Sequence, residues 1–252
     1  MISQIKLGMS NAYLIKIDNN NSINSNNKSI LVDTGSPGEM AKILSILQKE
    51  NVNIRHDISL IIHTHAHPDH VGNTYALKQM SPEVQVAIHT KEAEFLEKDH
   101  YKSVRPTRLT GRLLTPFLKK EFKGIKPDIV IEDDLMELDA WGVNGKIVFT
   151  PGHTEGSISV VIEEKEGRGD VNNNGLSSNQ AIAGDLMKGG HLGGVIFPNQ
   201  PNYHYFAYDL NIVRANIKKL IDFPVSKVYL GHGGPLDQED IKRRFSKDII
   251  NF

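Results

Sequence analysis

The sequence predicts a layered fold that combines strands and helices, of the α+β or α/β class. Short apolar segments rich in Val and Ile alternate along the chain with segments whose apolar residues recur at helical spacing. The chain has 252 residues, 39% of them hydrophobic, so it can bury a sizeable core, and we expect one domain over residues 1–252. Its formal net charge of −1 requires neither a nucleic acid nor a membrane as partner.

The N-terminal part of the chain begins with two strands and a helix. Strands are predicted at 12–17 and 29–33, and the Asn- and Ser-rich residues between them are expected to form a loop. Apolar residues at helical spacing predict a helix over 39–47, with Ser36 as its cap and Pro37 in its first turn.

Further strands are predicted where short apolar runs are bounded by turn-forming residues. These runs lie at 58–62, 84–88, 146–150, 157–162, 180–183 and 227–230. The run at 58–62 ends just before a cluster of His and Asp, and three later runs are followed closely by a Gly and then His or Asp. Because loops at strand ends are held by a rigid sheet, binding sites gather there in layered α/β proteins.

The densest group of potential metal ligands lies at His63–His70, where four imidazoles and one carboxylate follow the strand at 58–62. Imidazole nitrogen and carboxylate oxygen are the usual ligands of zinc and its first-row neighbours. A solvated His-rich loop is the alternative, but the position of the cluster behind an apolar strand argues against it. The chain has no Cys, which excludes a thiolate site.

Three later strand ends add a glycine followed by a potential ligand, at Gly152-His153, Gly184-Asp185 and Gly231-His232. Taken alone, each is more often a satisfied turn residue than a ligand. Together with the first cluster they form a set of ligand-type residues at the same kind of position. The set comprises His65, His67, Asp69, His70, His153, Asp185 and His232.

In this order and spacing, the set resembles the metallo-β-lactamase superfamily of hydrolases. Softer matches at 11–14 and 31–35 extend the resemblance over about residues 10–235. The resemblance implies a four-layer αββα sandwich, in which two sheets lie face to face with helices outside, and a two-metal site at one edge. The alternation of strands and helices agrees with that fold but does not by itself select it.

The resemblance also implies a role for each residue of the set. It implies that His65, His67 and His153 hold a first metal, that Asp69, His70 and His232 hold a second, and that Asp185 bridges both. Zinc, two ions per chain, is the expected cofactor, although manganese or iron also suits such ligands. A hydroxide bridging the ions is the expected nucleophile, with Asp69 and Asp185 as catalytic residues and Asp69 passing the proton toward the leaving group.

Other histidines and some tyrosines lie outside this ligand set and have other expected roles. His63 stands one step outside the motif, so we expect it to support a ligand or pack in the interior. A substrate-binding group is expected in the segment after Asp185, where an imidazole or a phenol could donate to an oxyanion, although an aromatic loop packed over the sandwich is the alternative. This group comprises His191, Tyr203, His204 and Tyr205.

The segment 99–128 carries eight Lys or Arg against three acids, with apolar residues at near-helical spacing. This pattern predicts a helical lid insertion around 99–128, whose basic face could steer an anionic substrate such as a thioester or a phosphodiester. A solvated helix face is the more frequent origin of such a pattern.

The function expected from these features is hydrolysis of a small carboxylic ester, thioester or lactone by a dinuclear zinc enzyme. The alternatives are a phosphodiesterase or nuclease of the same fold, a mononuclear iron persulfide dioxygenase, and a metal-binding scaffold without turnover. Only twenty residues follow His232, so the helical C-terminal domain of glyoxalase II enzymes is not expected. No run of 18 apolar residues and no signal-peptide core is present, which favours a cytoplasmic enzyme with a small-molecule substrate.

Overall fold

The computed structural model describes residues 1–17, 28–100, 104–107, 109–114, 121–163 and 179–249. The strands in these ranges, in chain order, are β1 Ile2–Lys6, β2 Asn11–Lys16, β3 Ser29–Val32, β4 Ile58–Ile62, β5 Gln85–His89, β6 Arg105–Pro106, β7 Ile129–Ile131, β8 Leu135–Glu137, β9 Gly145–Phe149, β10 Ile158–Ile162, β11 Asn179–Ile182, β12 Lys188–His191, β13 Ile196–Asn202, β14 Phe206–Ala207, β15 Val225–Tyr229 and β16 Leu236–Asp237. The helices are α1 Met40–Lys49, α2 Pro68–Val71, α3 Thr74–Met80, α4 Thr90–Glu97, α5 Leu109–Leu114, α6 Leu210–Asp222 and α7 Gln238–Ile249. A 3₁₀ turn spans Asp139–Trp141.

The first compact unit is built from the described parts of Met1–Lys102, Lys120–Glu132 and Asp139–Val143. Its six-stranded sheet has the order β1-β2-β3-β4-β5-β7, antiparallel from β1 to β3 and parallel from β3 to β7. Since β3 and β4 are parallel neighbours, their carboxyl ends lie at the same edge of this sheet. The residues that follow the two strands are therefore brought side by side.

The core of the first unit lies between its sheet and helices. Side chains such as Leu14, Leu31, Ile43, Ile61 and Leu96 are fully buried there. Burial of each such side chain contributes about 1.5–3 kcal/mol of hydrophobic free energy. This packing fixes the strand ends to which the histidine segment is attached.

The second compact unit is built from the described parts of Ser103–Lys119, Asp133–Leu138 and Asn144–Phe252. Its sheet has the order β16-β15-β11-β10-β9-β8, with β11 and β15 parallel and the other neighbours antiparallel. Helix α6 buries Val213, Ile217 and Leu220 on one face. The Asp209 carboxylate caps this helix by accepting from the backbone N–H groups of residues 211 and 212.

All eight strands predicted from apolar runs are confirmed, and their ends shift by at most two residues. The helix predicted over 39–47 is also confirmed, as α1, but the prediction of its start was wrong. Ser36 and Pro37 lie in a turn before the helix, and the Ser36 N–H donates to the Glu39 carboxylate at 2.8 Å. Because of this turn, the helix begins at Met40.

The segment 99–128, predicted as a helical lid, is helical only in part among the described residues. Strand β6 pairs with β14, α5 covers six residues, and residues 121–127 are irregular. Pro106 lacks the N–H that a helix interior requires. The described residues of this segment also divide between the two units, and Phe122 is buried in the core of the first. Of the basic residues, Lys102, Arg108, Lys119 and Lys120 lie outside the described residues.

Each unit thus joins a mixed sheet to helices, as the mixed fold class requires. Among the helices of the described ranges, none combines the length and apolar character needed to cross a bilayer.

Candidate metal centre

The histidine loop, residues His63–His70, leaves the first unit's sheet at the end of β4 and runs into α2. Pro68 occupies the first helical position, where its missing N–H leaves no hydrogen bond unmade. The Ala66 N–H donates to the buried carboxylate of Glu92 at 3.0 Å. The Ser10 hydroxyl donates to the Asp69 carbonyl at 2.7 Å. These contacts hold the loop backbone at Ala66 and at Asp69.

Four predicted ligands come together on this loop. His65 and His70 are fully buried, while His67 and Asp69 are partly exposed. His65 Nε2 lies 3.0 Å from His67 Nδ1, and the rings of His65 and His70 have centroids 4.2 Å apart. The Asp69 carboxylate lies 4.0 Å from His70 Nε2. The first unit therefore gathers three imidazoles and one carboxylate.

Asp33 follows β3 and supports this group from the neighbouring strand. Its carboxylate accepts from His70 Nδ1 at 2.8 Å, from the Thr64 N–H at 2.9 Å and from the Thr64 hydroxyl at 2.8 Å. A carboxylate on Nδ1 orients the imidazole so that Nε2 is the metal-binding nitrogen. The backbone of Asp33 has a φ of 60°, a left-handed value that Asp tolerates better than most residues. Asp33 thus fixes both the ring and the loop.

The pKa of the Asp33 carboxyl shows how this pairing outweighs burial. Burial by itself would raise the pKa, but the positive charge of His70 and hydrogen bonds from His63 and His70 lower it, and the net shift is downward. His63 lies between Asp33 and Thr74. Its Nδ1 atom is 3.6 Å from Asp33 Oδ1, and its Nε2 atom is 2.9 Å from the Thr74 hydroxyl oxygen. This is the supporting position expected for a histidine outside the motif.

The second unit gathers the other three predicted ligands around Asp185. The Asp185 Oδ2 atom lies 3.4 Å from His153 Nε2 and 3.3 Å from His232 Nε2. A further imidazole, His204, places its Nε2 atom 3.4 Å from the same oxygen. All four side chains are buried or nearly so.

The strand ends of the second unit position these side chains. The Gly231 N–H donates to the Gly184 carbonyl at 2.8 Å, which ties together the ends of the parallel strands β11 and β15. Gly152 has a φ of 134°, and a Cβ added there would lie 2.6 Å from the backbone nitrogen of Val213. Only glycine allows this close approach of the β9 end to α6.

The donor set fits a divalent metal ion. Ligand distances of about 2.0–2.1 Å around a tetrahedral zinc place neighbouring ligand atoms about 3.3–3.4 Å apart. The separations from Asp185 Oδ2 to the imidazole nitrogens are 3.3–3.4 Å. Nitrogen and oxygen donors without sulfur suit zinc and also manganese or iron.

The expected substrate-binding residues fall in different surroundings. Tyr203 is buried against Phe245, and its hydroxyl donates to Asp248 at 3.0 Å. Burial raises the pKa of Tyr203. The Tyr205 hydroxyl accepts from the Leu192 N–H at 3.2 Å. His191 is exposed on β12.

Lys188, which the sequence did not single out, is buried and lies over the Tyr205 ring at 4.2 Å. Asp33 could have been found by the same signal that revealed the histidine loop, because it too directly follows a short apolar strand. The sequence gives no such signal for the contact of His204 with Asp185, because His204 does not follow a buried strand of the sheet.

Comparison with known proteins identifies related sequences. A sequence profile described as "Metallo-beta-lactamase superfamily" matches residues 5–167, more than half of the chain. A probable metallo-hydrolase of Methanocaldococcus jannaschii is 33% identical over 57% of this chain, and the match covers 62% of that protein. The chain therefore spans less than two thirds of the length of this relative. A metallo-beta-lactamase fold-containing protein of Sulfurisphaera tokodaii is 24% identical over 88% of this chain and 76% of its own length.

Solved structures show the same fold. A subclass B3 metallo-beta-lactamase of Bradyrhizobium japonicum superposes with a TM-score of 0.61 at 19% identity, covering 99% of this chain and 91% of that one. The fold class expected from the resemblance is thereby confirmed.

Proposed function

The chain belongs to the metallo-beta-lactamase superfamily of metal-dependent hydrolases, and from that premise we propose that it cleaves a small carboxylic ester, thioester or lactone. The observation that carries the proposal is the convergence of imidazole Nε2 atoms on Asp185 Oδ2 at 3.3–3.4 Å. Such a centre concentrates positive charge, which favours a carbonyl substrate that becomes anionic during attack.

The proposed ligands are those that the family pattern implies. His65, His67 and His153 would hold a first zinc ion, Asp69, His70 and His232 would hold a second, and Asp185 would serve both, within one domain over residues 1–252. Two zinc ions bound in this way would supply a hydroxide nucleophile at neutral pH, because coordination lowers the pKa of water to about 7. The supporting observation is that every position of the pattern carries a His or an Asp.

The protein's own groups have distinct tasks in this proposal. Asp69 is partly exposed, and its carboxylate can take the proton carried by the attacking hydroxide and pass it to the leaving alkoxide or thiolate. Asp33 holds His70 in one orientation through its bond to Nδ1. The buried Glu92 holds the loop backbone at Ala66. These contacts prevent the ligands from reorganising during the reaction.

The test combines metal analysis with a substrate panel. Purified protein is assayed for transition metals and for hydrolysis of an ester, a thioester, a lactone and a phosphodiester. We expect bound zinc and hydrolysis of at least one carboxylic substrate, and removal of zinc by a chelator should abolish turnover until zinc is returned. His67→Ala and Asp185→Asn should lower kcat/KM by at least about a hundredfold, and His56→Ala, which removes an exposed imidazole, is the matched control.

The result that contradicts this proposal is specific. Preference for the phosphodiester over every carboxylic substrate would assign the chain to the phosphodiesterase alternative. Oxygen consumption with iron would assign it to the dioxygenase alternative.

A further inference from the structure

We propose that His204 is an additional ligand of the metal ion held by Asp185 and His232, outside the family's ligand pattern. The inference rests on the metal centre proposed above. Its starting point is that Asp185, His204 and His232 each offer one donor atom, and these atoms all lie within 4.8 Å of one another. All three residues belong to the second unit.

The separations match those of a coordination sphere. The Asp185 Oδ2 atom lies 3.4 Å from His204 Nε2 and 3.3 Å from His232 Nε2. Both values are separations that two ligands of one zinc ion can have, since bonds of about 2.0–2.1 Å at a tetrahedral angle place ligand atoms about 3.3–3.4 Å apart. His204 would add a fifth protein ligand to the four already assigned to this ion. The rings of His204 and His232 are stacked, with centroids 5.3 Å apart and an interplanar angle of 28°. The two imidazoles therefore lie side by side, and both of their Nε2 atoms lie close to Asp185 Oδ2.

His204 is oriented in the same way as His153, a ligand of the family pattern. The Nδ1 atoms of His153 and His204 lie 3.0 Å and 3.2 Å from one acceptor, the Phe206 carbonyl oxygen. Metal-ligating imidazoles commonly donate their other N–H to a backbone carbonyl, which fixes the tautomer that binds the metal. Contacts of both Nδ1 atoms with one carbonyl oxygen thus orient the two rings so that their Nε2 atoms face Asp185.

The backbone at His204 is held in place. The Thr107 hydroxyl donates to the His204 carbonyl at 2.7 Å, and the Thr107 N–H donates to the Tyr205 carbonyl at 2.8 Å. The His204 side chain is only 11% exposed. The His204 imidazole is therefore largely buried, on a backbone that hydrogen bonds hold in position.

The competing arrangement is a hydrogen bond from His204 to Asp185 without a bond to metal. The Phe206 N–H lies 3.3 Å from His204 Nδ1 and can donate to it, in which case Nε2 carries the proton and donates to Asp185. The two arrangements differ in metal preference. An added imidazole ligand favours zinc and cobalt, whereas carboxylate and water favour manganese.

The experiment compares wild type, His204→Ala and His204→Gln after metal removal and reconstitution, with His56→Ala as control. Zinc and manganese affinities are measured by competition with a chromogenic chelator. Cobalt-loaded protein is examined by visible absorption, and zinc-loaded protein by X-ray absorption to count imidazole ligands. Circular dichroism checks that each variant is folded. If His204→Ala does not fold, His204→Gln, which retains most of the side-chain volume, is used instead.

We expect loss of His204 to weaken zinc binding by at least about a hundredfold, to change manganese binding by less than about threefold, and to alter the cobalt spectrum. Free imidazole should restore the wild-type cobalt spectrum to His204→Ala. Equal loss of zinc and manganese affinity with an unchanged cobalt spectrum would overturn the proposal in favour of the hydrogen bond. That outcome leaves the hydrolase function standing, whereas a wild-type protein that binds no metal overturns both.

Discussion

Asp33→Asn is the substitution that most sharply separates support of the metal site from metal ligation. Asparagine keeps the shape of the side chain and tolerates the left-handed φ of 60° at this position. The carboxylate accepts three hydrogen bonds from Thr64 and His70, and an amide has only one oxygen with which to accept them. At least one buried donor then faces the amide NH₂ group.

The expected magnitude follows from these contacts. A hydrogen bond to a charged group contributes about 1.5–3 kcal/mol, and a buried donor left without an acceptor costs about 1–3 kcal/mol. We expect the metal-free variant to lose about 2–4 kcal/mol of unfolding free energy. Because His70 loses its orienting carboxylate, zinc affinity should fall about 10–100-fold.

The stability effect depends on pH in a defined direction. The pKa of Asp33 in the folded protein is lowered from the ordinary value of 3.8. Its stabilising contribution is therefore present above pH 3.8 and is lost as the pH falls below that value toward the folded-state pKa. The difference in unfolding free energy between wild type and Asp33→Asn should shrink over the same window.

The assay is urea unfolding of metal-free protein, followed by zinc competition titration of the folded protein. Asp139→Asn, which removes an exposed carboxylate elsewhere in the same unit, is the control. An Asp33→Asn protein within about 0.5 kcal/mol of wild type, with unchanged zinc affinity, would refute the role assigned to Asp33.

Two further substitutions test how the second unit is built. Gly152→Ala should lower the unfolding free energy by more than about 1 kcal/mol and weaken zinc binding, because its Cβ would lie 2.6 Å from the Val213 nitrogen; unchanged urea midpoints and zinc titrations would contradict this. Asp209→Ala should cost about 0.5–2 kcal/mol through loss of the α6 cap, without changing zinc affinity, whereas a wild-type unfolding curve would show that the cap is unimportant.

The sequence predicted eight of the strands correctly because each of these is a short apolar run whose signal is local. The histidine loop and the three later Gly-His or Gly-Asp pairs were also visible, since each directly follows such a run. Helices α6 and α7 were not predicted, although α6 shows apolar residues at helical spacing. Strands β7 and β8, of three residues each, are too short for their alternation to be recognised.

The supporting contacts of the site were less accessible from the sequence. The role of Asp33 depends on the parallel pairing of β3 with β4, which places it beside the histidine loop. The position of His204 depends on the Phe206 carbonyl and on pairing between β6 and β14, a contact between residues about a hundred positions apart. The described part of the predicted lid is helical only at α5, and helical spacing of apolar residues did not reveal that the segment divides between two units.

The central claim is that carboxylic hydrolysis depends on zinc bound by the His and Asp set. Its most direct measurement is titration of metal-free protein with zinc while kcat is followed on the best ester, thioester or lactone substrate. The account predicts no turnover without metal and a rise to a plateau at two zinc ions per chain. Full turnover in protein free of transition metals, or no turnover on any carboxylic substrate at saturating zinc, would contradict it.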